Sequence, residues 1–161
     1  MTDPAFERIA LRYGDMLYRV AFNYLKSRED SEDAVQNMLI RLYRCRRDFD
    51  SEEHLRAWLI RVVINESKRI LSRRKQRAEV SLASAANELY TQAENRELFI
   101  ELMRLKPRDS TVLYLYYFEG YRTEEIAKMM SRSDAAVRQM LSRARKQLRT
   151  QLEVELDEPS E

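Results

Sequence analysis

A chain of 161 residues with 44% hydrophobic residues is long enough to bury a core, which excludes disorder throughout. Two glycines, three prolines and 35% charged residues leave few of the breakers that strands and hairpins need, so the expected fold class is all-α. Cys45 is the lone cysteine and His54 the lone histidine; an internal disulfide is excluded, and the pair cannot supply the usual ligand set of a structural zinc site.

Met1 is followed by charged and mixed residues rather than by an apolar core and a small-residue cleavage site, so no secretory signal is expected. No apolar run is long enough to span a bilayer, and the expected compartment is cytoplasmic. The net charge of +2 hides a segregation. Seven basic residues oppose one acid between Arg61 and Ala78, and six oppose one between Arg132 and Arg149; the tail from Glu153 to Glu161 holds five acids and no base. Two separate cationic stretches are what a chain touching a polyanion at two places would carry, although solvated helix faces would look the same by composition.

The first helix is expected to start with Asp3 as N-cap and Pro4 at its first position, with Phe6, Ile9, Ala10, Tyr13, Leu17, Val20, Ala21 and Tyr24 forming one stripe at steps of three and four. A polar turn through Ser27, Arg28 and Glu29 leads to a second helix from about Ser31 to Arg46, with Ala34, Val35, Met38, Leu42 and Cys45 facing inward. The loop Arg47 to Ser51 precedes a third helix with Leu55, Trp58, Leu59, Val62, Val63 and Ile70 inside, whose far end becomes the first basic cluster. Three helices with facing stripes make a small bundle.

Gln76 to about Asn95 turns to Ala, Ser, Glu, Asn and Gln and reads as a linker. A second apolar pattern starts at Leu98 and Leu102; Pro107 opens a helix through Val112, Leu113, Tyr116 and Tyr117, which Gly120 stops. Thr123 is the expected N-cap of a short helix holding Ile126, Ala127 and Met130. A turn at Met130 to Ser133 then precedes a longer basic helix from Asp134, so that short helix, tight turn and longer helix form a helix-turn-helix pattern.

On the last helix Val137, Leu141, Ala144 and Leu148 take one face, while Arg138, Ser142, Arg145 and Arg149 fall within about 60° of one another on the other, beside Gln139, Lys146 and Arg143. A helix laid in a major groove needs this layout, with base-reading side chains near its start and later cations for phosphates. The third helix offers Trp58, Arg61, Asn65, Lys68 and Arg69 behind the loop residue Phe49, an aromatic and cationic track of the kind that holds single strands. A Trp between two leucines is more often core than a stacking platform. The amide of Asn65 is the sharper signal, since it both donates and accepts.

The segments DAVQNMLIRLYR from Asp33 and RAWLIRVVINESKR from Arg56 resemble region two of the extracytoplasmic-function group of sigma-70-type RNA polymerase sigma factors. LKPRDSTVLYLYYFEGY from Leu105, TEEIA from Thr123 and SDAAVRQMLSRARKQL from Ser133 resemble their region four. The resemblance implies region two over residues 1–77, a linker over 78–96, region four over 97–153 and an acidic tail over 154–161. It also implies that Asp33, Gln36, Asn37, Ile40, Arg41 and Arg44 dock on the clamp helices of the largest polymerase subunit. Phe49, Asp50, Arg61, Asn65, Lys68 and Arg69 would engage the minus-ten element, with a flipped base under the loop. Arg138, Gln139, Ser142, Arg143 and Lys146 would meet the minus-thirty-five duplex. Asn37 departs from the family's usual glutamate, and Ala135 and Ala136 replace the common Gly-Thr before Val137.

The function implied is promoter recognition and opening by a non-enzymatic subunit, with core RNA polymerase, promoter DNA and an anti-sigma factor as partners, and without cofactor, metal, membrane insertion or small-molecule substrate. No Walker-type loop is present, and His54 has no evident nucleophile or acid partner in sequence. The rival is a free-standing helix-turn-helix regulator.

Overall fold

The computed structural model describes residues 2–74 and 93–157, and every regular element among them is helical. Helices α1 (Asp3–Leu25), α2 (Arg28–Arg44) and α3 (Glu52–Arg73) form the first bundle. Helices α4 (Ala93–Met103), α5 (Pro107–Leu113), α6 (Thr123–Met130) and α7 (Asp134–Asp157) form the second half, and a π turn at Tyr114–Phe118 extends α5. The inward stripes are where periodicity places them: Leu17, Val20, Ala34, Met38, Leu42, Leu59 and Val63 are buried in the first half, and Val112, Leu113, Ile126, Val137, Leu141 and Ala144 in the second. Full burial of such side chains stabilises by about 1.5–3 kcal/mol each before chain entropy is set against it.

Several helix ends differ from the sequence expectation, each for a local reason. Thr2 holds the N-cap position of α1 and Asp3 is its first helical residue. The polar turn expected at Ser27 to Glu29 is instead the start of α2: Ser27 is the cap, its hydroxyl accepting from the Asp30 amide, and Glu29 and Asp30 sit in the first turn where the dipole favours acids. That helix ends at Arg44, so Cys45 is its extended, half-exposed C-cap rather than an inward residue. Arg122, not Thr123, is the N-cap of α6, and no side chain caps it. Ser133 caps α7 by accepting from the Ala136 amide at 3.1 Å. Leu55, Trp58 and Ile70 are only half-buried. Of the linker expected from Gln76, residues 76–92 lie outside the described residues, and Ala93 already opens α4.

The helix begun by Pro107 does not stay α-helical to Tyr117. Its last turn widens, and the Tyr121 amide returns to the Leu115 carbonyl at 3.0 Å. Gly120 makes that return at φ +72°, a left-handed backbone that a side chain would resist.

The two halves share one core. Phe22 of α1 and Phe99 of α4 are both fully buried, with ring centroids 5.7 Å apart. Arg19 Nε donates to the Tyr114 hydroxyl at 3.0 Å, and Lys26 Nζ donates to the Leu105 carbonyl. The guanidinium of Arg56 on α3 lies 5.3 Å from the centre of the buried Tyr121 ring.

Candidate nucleic-acid interfaces

On α3 the row Arg61, Asn65, Lys68 and Arg69 lies along one side, spanning about 100° with Trp58 and His54 within the same arc. Asn65 and Arg69 are exposed, and Arg61 and Lys68 half-exposed. Phe49 and Asp50 approach from the preceding loop. The Phe49 ring packs edge-on to Trp58 at 5.3 Å and to His54 at 5.6 Å, while Asp50 Oδ2 sits 3.7 Å from His54 Nδ1. Trp58 and Asn65 are two turns apart, about 10 Å along the axis, so loop and amide bracket a stretch of helix surface instead of touching.

Lys68 stands at the edge of this row nearest the second half. Burial holds its ammonium pKa below the ordinary value, and the cations Arg132 and Arg108 push it the same way. Arg69 is partly committed inward: it donates to the Glu66 carboxylate, which Arg41 of α2 also reaches at 2.8 Å. Glu66 is buried, so these two guanidinia balance a charge that would otherwise be costly.

All six residues expected on the docking face of α2 are exposed: Asp33, Gln36, Asn37, Ile40, Arg41 and Arg44. Sequence reasoning passed over Tyr43, which is 51% exposed on the same side and makes an edge contact with Phe6 at 5.4 Å. Its signal was available, since a tyrosine one turn from Ile40 and outside the buried stripe of α2 has nothing in its own helix to cover it.

On α7 Arg138, Gln139, Ser142 and Lys146 share an exposed face within about 100°. Arg138 leans on Asp134 at 2.9 Å and on Glu124 of α6 at 3.9 Å, contacts that fix the guanidinium at the start of the helix. Arg143 is exposed but lies about 140° round from Arg138 and turns toward the buried Asp109 of α5 at 3.3 Å. It therefore ties the helix-turn-helix to α5 as well as facing outward. Arg145, read from sequence as part of the cationic row, donates to the Tyr117 hydroxyl at 2.6 Å and lies over the Tyr116 and Tyr117 rings at 5.4 and 5.5 Å. No cluster of metal-ligating side chains occurs among the described residues, and no helix among them is long and apolar enough to cross a membrane.

The Sigma-70 region 2 family model matches residues 9–78, and the Sigma-70, region 4 model matches residues 101–148. The ECF RNA polymerase sigma-E factor of Haemophilus influenzae is 27% identical, over 92% of this chain and 88% of its own length. RNA polymerase sigma factor SigV of Bacillus subtilis is 26% identical, over 84% of this chain and 83% of its own. The probable RNA polymerase sigma factor RfaY of Xanthomonas campestris is 29% identical, but the chain spans only 40% of that protein's length. Among solved structures, CnrH in complex with the cytosolic domain of CnrY superposes with a TM-score of 0.70 at 25% identity, covering 95% of this chain and 90% of that one. The sigma factor RpoE of Bartonella quintana, in complex with the anti-sigma factor NepR, gives 0.72 at 19% identity over 93% and 98%, a likeness of fold.

Proposed function

This chain belongs to the sigma-70 family, as a member of its extracytoplasmic-function group, and on that footing we propose that it binds core RNA polymerase, brings it to promoters and helps to open them. The observation that carries the reading is the pair of exposed cationic helix faces, on α3 and α7, within one chain that matches both sigma regions. Phosphate attraction supplies sequence-independent affinity at each face, and base-edge contacts add selectivity.

In this reading α2 presents Asp33, Gln36, Asn37, Ile40, Arg41 and Arg44 to the polymerase. Asn65, Arg61, Lys68 and Arg69, with Phe49 and Asp50, hold the separated strand of the minus-ten element. Arg138, Gln139, Ser142 and Lys146 enter the major groove of the minus-thirty-five duplex, and Arg143 reaches its edge. The role is that of an initiation factor without a chemical step of its own. An anti-sigma factor as a further partner is supported by the RpoE complex with NepR.

The test is reconstitution. Purified chain mixed with core polymerase should co-elute and should direct transcripts from sites the core ignores, mapped first by sequencing the RNAs that rise when the chain is overproduced. A free-standing regulator would bind duplex DNA and fail to co-elute.

A further inference from the structure

At one end of the seam between the halves, several elements meet beside Tyr24, near the end of α1. Arg74, just past α3, donates to the Leu25 carbonyl at 2.7 Å, and Ser110 at the start of α5 donates to the Asn23 carbonyl at 2.9 Å. Helix α6 packs along α3: Tyr121, just before it, lies against Arg56 near the start of α3, and the turn that leaves α6 carries Arg132 toward Lys68 at the far end. Lys68 of α3, Arg108 of α5 and Arg132 of that turn are thus gathered round the Tyr24 phenol, where both guanidinia act on it and on Lys68.

Other cations along the seam have acids to meet. Arg19 reaches Glu119 at 3.8 Å, Arg74 reaches Asp30 at 3.5 Å and Arg143 reaches Asp109 at 3.3 Å. Lys68, Arg108 and Arg132 have no carboxylate partner among the described residues. Tyr24 is 8% exposed, yet its hydroxyl has no hydrogen-bond partner among the described residues. Burial pushes its phenol pKa up, against the pull of Arg108 and Arg132, so the hydroxyl keeps its proton at neutral pH and is a donor. Three like charges without a counter-ion repel one another, and the four side chains together offer donors only. The matching ligand accepts hydrogen bonds, donates none and carries several negative charges. A carboxylate brings one charge. A chain of phosphates brings more, with oxygens enough for both guanidinium forks.

We propose that Tyr24, Lys68, Arg108 and Arg132 form a binding site for a phosphate chain, such as that of a polyphosphate or a nucleoside triphosphate. Tyr24 and Lys68 belong to the first half and Arg108 and Arg132 to the second, so the ligand favours the closed seam. It also takes Lys68 from the cationic row of α3. The site stands on the free chain alone; only that last consequence, competition with the minus-ten strand for Lys68, rests on the sigma-factor reading.

The experiment titrates the full chain with inorganic tripolyphosphate in a calorimeter, at an ionic strength of about 0.15 M held constant with sodium chloride. Wild type should show one saturable site and should melt at a higher temperature with the ligand than without it. Arg108→Gln and Arg132→Gln should each weaken binding about tenfold, the scale of one lost charge-assisted hydrogen bond, and Tyr24→Phe should weaken it several-fold with the ring still in place. Arg149→Gln removes the same charge roughly 22 Å along α7 from its start and should leave binding unchanged. Without ligand, the Arg108 and Arg132 variants should melt no lower than wild type, because they relieve repulsion and break no pair. Absence of saturable binding to wild type overturns the proposal, as does unaltered affinity in Tyr24→Phe and both seam variants. Equal weakening by all three arginine variants would reduce the effect to net charge and overturn it too, and a lower melting point of the seam variants without ligand would reveal a structural role in its place. ATP in place of tripolyphosphate separates the sources: equal affinity means that the phosphate chain alone is read, and tighter binding means that the nucleoside adds contacts. Tripolyphosphate binding by a chain that fails to co-elute with core polymerase would sink the sigma-factor reading and leave the site standing.

Discussion

The hydroxyl of Ser110 on α5 lies 2.9 Å from the backbone carbonyl of Asn23 on α1, a bond across 87 residues of sequence, with both residues sealed from solvent. It sits beside the Phe22–Phe99 contact, so polar and aromatic groups together hold one half on the other. Ser110→Ala removes the only donor to that carbonyl from α5 and should cost about 1 kcal/mol, whereas Phe99→Ala opens a cavity in the shared core and should cost about 3–5 kcal/mol. Urea denaturation of the two variants measures both; equal small effects would mean that the seam contributes little to folding.

Arg41 serves two masters. It is expected on the polymerase-docking face, yet it reaches the buried Glu66 at 2.8 Å. Arg41→Ala should therefore lower stability by about 1–3 kcal/mol as well as weaken polymerase binding, while Ile40→Ala should weaken binding alone. Parallel melting and co-elution of both variants separate the roles, and an Arg41 variant of unaltered stability would contradict the ion pair.

Arg138→Ala should weaken promoter binding by about 1–3 kcal/mol and relax preference at one base pair of the upstream element. Competition with mismatched duplexes checks this. A uniform loss on all sequences would make Arg138 a phosphate contact. Arg145, clamped over Tyr116 and Tyr117, should matter more for folding than for sequence preference.

Asn65→Ala should lower open-complex formation while binding to the upstream duplex persists, since Asn65 is exposed and holds no buried group in place. Permanganate reactivity of unpaired thymines reports opening directly, and unchanged reactivity would count against the site.

Tyr121 supplies a pH window. Burial pushes its phenol up to about 12, with Arg56 opposing and Glu119 and Glu125 adding to the rise. A folded-state pKa above the unfolded value near 10 means that the stabilisation is complete below pH 10 and is lost as pH climbs toward 12, on the order of 2–3 kcal/mol in all. Its buried hydroxyl has no hydrogen-bond partner among the described residues. Tyr121→Phe should accordingly cost nothing at pH 7 and should flatten the alkaline limb of the stability curve. A phenylalanine variant clearly weaker at neutral pH would reveal a bond to that hydroxyl.

Helix identity and facing were readable from residue order because both depend on neighbours three and four positions away: the stripes of α1, α2 and α3, the cationic row from Arg61 to Arg69 and the face from Arg138 to Lys146 all follow from 3.6 residues per turn. Caps were less readable. Ser27 and Thr123 have equal chemistry, yet only Ser27 caps, because which serine or threonine takes that place depends on where the chain leaves the previous helix. What no local pattern carries is the placement of residues far apart in the chain: Ser110 on Asn23, Arg41 on Glu66, Arg143 turned to Asp109, Arg145 spent on two tyrosines, and Tyr13 with Arg12 on one oxygen of Glu52. A side chain's partner is chosen by which helix happens to pack beside it, and packing is settled by the summed burial of the whole molecule, a quantity spread over all residues at once.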